Sequence, residues 1–325
     1  MSDIPFWKKI QRNNFTDWKK LFSFLEIGID EKQSQVLPFS KFPLNLPRRL
    51  AEKIQKGHWN DPILRQFIPT KQELEPSPLF VLDPVSDHSF QSTPKLLHKY
   101  HGRALFLCTS ACAMHCRFCF RQHFDYETKD KLFKEELCVI SKDSSISEII
   151  LSGGDPLSLS AAQLQYLFGE LEKIPHLKRI RFHTRFPMGI PERIDESFIQ
   201  LLSNCKKQVI FLIHCNHPRE FDEDIFMHLK MIQQLGIPVL SQSVLLREVN
   251  DEVKILKDLF ELLIDHGIVP YYLHQLDRVQ GAAHFEVPEE EGKLLMKHLS
   301  ELLPGYALPK YVKEEAGRKS KSILN

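Results

Sequence analysis

No uninterrupted apolar run in the 325 residues approaches the length of a membrane span, and the opening MSDIPFWKKIQRNNF has no apolar signal-peptide core. These absences predict a cytoplasmic protein. An excess of charge of one sign is missing too. A formal net charge of +1 gives no field that would gather nucleic acid or anionic lipid, so neither nucleic acid nor a membrane is expected as a partner. Nor is there a disulfide framework: seven cysteines, an odd number in a chain this large, fit a compartment where thiols stay reduced. Cys108, Cys138, Cys205 and Cys215 stand singly and read mostly as small core residues. Fixed-period repeats and low-complexity tracts are also missing. What remains is an ordinary globular composition, 42% hydrophobic and 26% charged, sufficient for one large domain or two smaller ones.

Residues 1–68 have a helical pattern. TDWKKLFSFLEIG places Trp18, Leu21, Phe22 and Leu25 on one face, with Thr16 as the expected cap and Gly28 as the stop. LPRRLAEKIQKG reads similarly. Residues 69–94 carry Pro69, Pro76, Pro78, Pro84 and Pro94, which predicts an extended connector. From Ala104 short apolar runs recur: ALFLC (104–108), EIILS (148–152), RIRFHT (179–184), QVIFLIH (208–214), PVLSQSVLL (238–246) and IVPYYLH (268–274). Amphipathic stretches such as SAAQLQYLFGELEKI and DEVKILKDLFELLIDHG lie between most of them. Alternation of this kind predicts an α/β fold with a parallel sheet and helical crossovers.

Polar chemistry follows or ends each run: the cysteines after the first, SGGDP (152–156) after the second, then His183, Thr184 and Arg185, then His214, Asn216 and His217. Gln242 and Ser243 lie in the fifth run, and His274, Gln275 and Asp277 close the sixth. In a barrel those ends converge on one rim, where barrel enzymes keep their active sites. A barrel therefore fits better than a doubly wound sheet.

TSACAMHCRFCFRQ (109–122) holds Cys112, Cys116 and Cys119 and no fourth cysteine. Three readings are open. A zinc site could recruit His115 or a distant ligand. Three unrelated buried thiols are a second possibility, although Arg117 and His115 make the segment polar. The third is a cubane iron–sulfur cluster, which ordinarily takes four thiolates; three leave one iron open for a substrate.

The Cys-x3-Cys-x2-Cys spacing resembles the signature of the radical S-adenosylmethionine superfamily. HKYHGRALFLCTSACAMHCRFCFRQ, IILSGGDPL, IHCNHPRE, IPVLSQSVLLREVND and YYLHQLDRVQGAAHF together resemble the lysine 2,3-aminomutase family, from about residue 75 onward. The short chain resembles its branch that makes (R)-β-lysine for modification of elongation factor P. The resemblance implies a partial (βα)6 radical-SAM barrel at 95–305 after an N-terminal helical region, with a C-terminal segment at 306–325. It implies a [4Fe-4S] cluster on Cys112, Cys116 and Cys119, S-adenosylmethionine on the open iron, and pyridoxal phosphate on a lysine.

Further roles follow from the same resemblance. Lys321 is the implied catalytic and pyridoxal-holding lysine, with Lys319 next. Lys99 and Tyr100 match the phosphate neighbourhood of that cofactor, Lys99 replacing an arginine. Ser152, Gly153, Gly154 and Asp155 resemble the glycine-rich motif that receives the methionine amino group, and His214 and Gln242 match further S-adenosylmethionine contacts. Arg121 matches the substrate carboxylate site; Asp277 and Glu314 match the acidic pair for the distal ammonium, Glu314 standing where longer relatives have aspartate. The implied activity is a 2,3-aminomutase acting on L-lysine. The implied associations are elongation factor P, its lysine ligase, an electron donor such as flavodoxin, and a homodimer. Two other classes remain open: a pyridoxal-independent radical enzyme acting on a protein partner, and a non-enzymatic zinc-binding interaction module.

Overall fold

The fold is that of a computed structural model in which residues 4–28, 32–127 and 132–324 are described. Its centre is one sheet. β3 (Arg103–Thr109), β4 (Glu148–Gly153), β5 (Arg179–Thr184), β6 (Gln208–His214), β7 (Val239–Val244), β8 (Val269–His274) and β9 (Lys310–Lys313) run parallel. β1 (Gln91–Thr93) and β2 (Leu96–Tyr100) enter antiparallel at one edge, and β10 (Ser322–Ile323) returns antiparallel at the other. All six apolar runs singled out in the sequence are strands of this sheet, β3 to β8.

Spatial order equals chain order from β1 to β10. A doubly wound sheet reverses direction at a switch point; this one never reverses. The winding is that of a barrel, and with β1 and β10 as its two edges the barrel is partial.

Between the strands lie helices such as Ala161–Glu172, Glu196–Asn204, Glu223–Gln233 and Val253–Asp265. Their starts follow local chemistry. Ser160 accepts from the Gln163 amide while Gln163 returns a bond to the Ser160 amide, and Asp195 and Asp222 cap the next two. Each presents one apolar stripe, as Leu164, Leu167, Phe168 and Leu171 do, and each such side chain contributes about 1.5–3 kcal/mol on burial.

Within the N-terminal region the helices are short, and two expected signals differ. Asp17, not Thr16, caps the helix Trp18–Leu25, accepting from the Lys19 amide at 2.8 Å. That helix stops at Glu26, before Gly28: Glu26 takes a left-handed φ of 57°, and Ile27 N–H reaches back to the Phe22 carbonyl at 3.0 Å. LPRRLAEKIQKG is helical only over Arg48–Glu52. The connector carries two 3-10 turns, Lys71–Leu74 and Asp87–Phe90. Among the single cysteines, Cys108 and Cys215 are buried, Cys205 is half-buried and Cys138 is exposed, so the core reading fails for Cys138, on the surface of the helix Lys134–Lys142.

The N-terminal region shares one apolar core with the sheet. Trp7, Leu21 and Phe22 join the same buried cluster as Phe182 and Phe211, and Trp7 meets Phe186 edge-on at 5.5 Å. Arg49 fastens the two parts further, donating to Glu192 at 2.8 Å and to Asp222 at 2.9 Å.

Candidate active site

Strand alternation builds the site. Side chains two apart on a strand share a face, and on the concave face these are Leu105, Ile150, Ser152, Arg181, His183, Gln242, Val244, Tyr272, His274, Val312 and Glu314, all lining one cavity of about 680 Å3. Cys112, Cys116 and Cys119 line it too, as do Arg121, His214, Asp277 and Lys321. So do Lys99, Tyr100, Gly153, Gly154 and Asp155. Every site residue named from the resemblance therefore borders one cavity; Lys319 does not, and is exposed.

Backbone packing places the cysteines. Gly154 N–H donates to the Thr109 carbonyl at 2.6 Å and Asp155 N–H to the Ala111 carbonyl at 2.8 Å, so the glycine motif lies against the start of the cysteine loop. Gly153 has a φ of 113°, and a Cβ there would stand 2.6 Å from the Thr109 oxygen; a Cβ at Gly154 would collide with the Ala111 carbonyl. The glycines' lack of a side chain thus serves the chain's own cysteine loop. Asp155 is likewise used internally, accepting from the Leu157, Arg185 and Phe186 amides and from Thr184 Oγ1 at 2.7 Å. Burial raises its carboxyl to about 6 against these donors.

The three thiols fit an iron–sulfur cluster. Burial raises all three, Cys119 to about 11, with neighbouring cysteines adding to the effect at Cys112 and Cys119. Thiols that resist ionising alone become thiolates when a cation supplies the missing stabilisation. All three thiols line one cavity, and a polynuclear group takes one thiolate per iron. His115, the residue a zinc site would recruit, donates from Nδ1 to the Pro43 carbonyl at 2.8 Å and stacks on Phe42.

The same cavity is lined by an ionic cluster. Glu314 accepts from Lys321 Nζ at 2.6 Å, from Lys99 Nζ at 2.5 Å and from Tyr100. Burial opposes its charge, but the two lysines and the phenol hold its carboxyl down at about 2. Asp277 faces the same space with no such set of donors among the described residues, and burial pushes it up to about 7, with Lys321 opposing. β10 holds Lys321 in place: Ser322 pairs with Lys313, Ile323 with Val312, and Leu324 N–H bonds the Tyr311 carbonyl at 2.9 Å.

The cavity is also lined by polar side chains in neutral form. Gln242 Nε2 donates to His214 Nε2 at 2.8 Å, and burial, with Arg185 and Arg121 nearby, depresses His214 to about 3. His183 and His274 each have a buried Nε2 without a protein partner among the described residues, a polar atom turned toward whatever fills the cavity. Arg121 donates from Nε to Asp87 at 2.7 Å and from Nη1 toward Ser152 Oγ at 3.5 Å.

Sequence reasoning missed several of these partners. Asp87 lies in the connector, 34 positions from Arg121, and nothing local marks it. Tyr126, seven residues after Cys119, donates to the Gly153 carbonyl at 2.9 Å. Arg185 was visible as a residue of the rim, but its contact with Cys116 was not.

Comparison with known proteins places this geometry. A model described as a 4Fe-4S single cluster domain matches residues 101–206, the stretch with the three cysteines and the glycine motif. A radical SAM methyltransferase from Sphaerobacter thermophilus superposes with a TM-score of 0.50 and 18% identity, over 67% of this chain and 68% of that one, which shows a common fold. The L-lysine 2,3-aminomutase of Haemophilus influenzae is 39% identical over 98% of this chain and 95% of its own. That of Escherichia coli is 40% identical over 95% and 92%, and that of Clostridium subterminale 30% identical over 97% and 77%. A partial radical-SAM barrel and identities at this level over nearly the whole length lead to one conclusion: the chain belongs to the L-lysine 2,3-aminomutase family.

Proposed function

We propose that this isomerase converts L-lysine to (R)-β-lysine, which a ligase then attaches to elongation factor P. One observation carries the reading: the three cysteines, the carboxylate-seeking Arg121, the acidic pair and Lys321 all border one cavity.

When bound, the cluster and S-adenosylmethionine supply a hydrogen-abstracting radical, and pyridoxal phosphate supplies a conjugated system through which nitrogen can migrate. The protein's own residues bind and orient. Arg121, its Nε taken by Asp87, directs its terminal nitrogens to a carboxylate as a fork. Asp277 and Glu314 take the distal ammonium, and two carboxylates on one cation select lysine over shorter or neutral amino acids. Lys321 would hold the pyridoxal aldehyde, and Lys99 and Tyr100, which share Glu314 with it, would be donors available to the phosphate. The apolar wall of Leu105, Ile150 and Val312 keeps water from the reacting centre, and the buried Nε2 atoms of His183 and His274 offer polar contacts to what fills the cavity. An electron donor such as flavodoxin serves the cluster.

Borohydride reduction of the anaerobically purified protein, followed by peptide mass analysis and iron and sulfide assay, tests both cofactors together. The expected result is a pyridoxyl adduct on Lys321 with four irons per chain, on the order of a full cubane complement. A protein with a complete cluster and no adduct on any lysine would be a pyridoxal-independent radical enzyme instead.

A further inference from the structure

Arg185 follows β5, and among the described residues its guanidinium makes a direct hydrogen bond to a cysteine of the triplet. Nη1 donates to Cys116 Sγ at 2.8 Å. Nη2 donates to Gln66 Oε1 at 2.6 Å and to Glu220 Oε2 at 3.0 Å. Nε is buried without a partner among the described residues. The guanidinium lies over the rings of Phe67 and Phe118, at 5.1 and 5.4 Å from their centroids, which keeps water from it. Its backbone amide is pinned by Asp155 at 2.8 Å.

The partners are as rigid as the arginine. Glu220 is fully buried and also accepts from the Asn216 amide at 3.0 Å and from Gln66 Nε2 at 3.2 Å. Gln66 accepts from Asn216 Nδ2 at 3.0 Å, and its own carbonyl takes the Arg117 amide at 2.9 Å. A buried cation, a buried anion and two amides therefore form a hydrogen-bonded network that reaches a cysteine sulfur through Arg185. Structure alone does not require this: two apolar side chains would fill the same space without the desolvation cost of two charges.

We infer that Arg185 is a positioning residue for the cluster: it stabilises negative charge on the Cys116 sulfur, with Glu220 as counterweight, and so sets how readily the cluster takes up an electron. The inference rests on the reading of Cys112, Cys116 and Cys119 as cluster ligands. Hydrogen bonds to ligand sulfur and nearby positive charge favour the reduced, more negative form, whereas a nearby carboxylate disfavours it. Gln66 brings the N-terminal region into this function, because it holds both Arg185 and Glu220.

The test is an anaerobic, spectroscopically monitored redox titration of the full chain after reconstitution with iron and sulfide. Arg185→Gln keeps a donor and loses the charge; at a fixed poise its reduced-to-oxidised ratio falls about ten-fold, which for a one-electron couple is 59 mV more negative. Glu220→Gln removes the counterweight and moves the ratio a similar amount the other way, while Arg185→Lys stays near the parent. Opposite signs are the signature, since a residue needed only for folding would lower cluster content in both variants and leave the potential of the surviving clusters unmoved. Unmoved potentials in both, or shifts of the same sign, overturn the inference. Should Arg185→Gln hold no iron, Glu220→Gln decides: an upward shift supports the inference and none overturns it. A parent protein that binds no cluster at all fails the underlying reading, whereas a cluster with unmoved potentials fails only the role of Arg185.

Discussion

Asp277 carries the clearest single-residue consequence. Burial lifts its carboxyl to about 7, above the ~3.9 of an exposed aspartate. A folded-state value raised in this way contributes stability below the unfolded value, and that contribution is lost as pH rises through the folded one. A lysine ammonium in the cavity reverses the preference, because it needs the ionised form. Lysine affinity should therefore climb about ten-fold per pH unit below 7 and level off above it. Calorimetry should show a proton released on binding near neutral pH, and Asp277→Asn should bind weakly with a flat profile. A parent profile that is already flat would mean that Asp277 does not meet the ammonium. The resemblance offered Asp277 and Glu314, but not their difference: Glu314 is held ionised by Lys321, Lys99 and Tyr100, while Asp277 has no equivalent donors among the described residues. Those donors come from β2 and the C-terminal segment, and no local pattern joins positions more than 200 apart.

At the level of elements, β10 matters out of proportion to its two residues. A lysine five positions from the chain end would ordinarily fray; here antiparallel pairing with β9 turns Lys321 toward Glu314. Truncation after Lys321 removes Ser322 and Ile323 from the ladder and should abolish retained pyridoxal absorbance while leaving iron content within about a tenth of the parent, since the cysteine loop leans on β4 and not on β10. Loss of iron as well would show that the two ends of the cavity are not independent. Strands β3 to β8 were legible because apolar runs bounded by turn residues are a local signal. β9 and β10 were not: KYVK and SI are too short and too polar to show a period, and their partners lie far off in the chain. The ends of the helix Trp18–Leu25 differ from expectation by one or two residues for a similar reason, since Thr16 and Asp17 are both good caps and only the observed bond to Lys19 separates them.

Across the whole molecule, the N-terminal region and the partial barrel share one core, tied by Trp7 against Phe186, by Arg49 across Glu192 and Asp222, and by Gln66 inside the Arg185 network. Trp7, Trp18 and Trp59, the only tryptophans, all lie in that region. Tryptophan fluorescence thus reports the N-terminal region and its contact with the barrel through Trp7, while far-ultraviolet dichroism reports every helix and strand. In denaturant the two curves should coincide within about 0.2 M urea, the mark of one cooperative unit. An earlier fluorescence transition would make the region a separable layer. Nothing in residues 1–68 announced this role, because hydrophobic periodicity shows that a face is buried and not against what. The central claim, that one cavity joins a radical-generating cluster to a lysine-bound pyridoxal and an acidic pair, is tested most directly by turnover. With lysine, S-adenosylmethionine, pyridoxal phosphate and a reductant under anaerobic conditions, the account predicts β-lysine of R configuration by chiral chromatography. A preparation complete in iron, sulfide and bound pyridoxal that leaves lysine unchanged would contradict it.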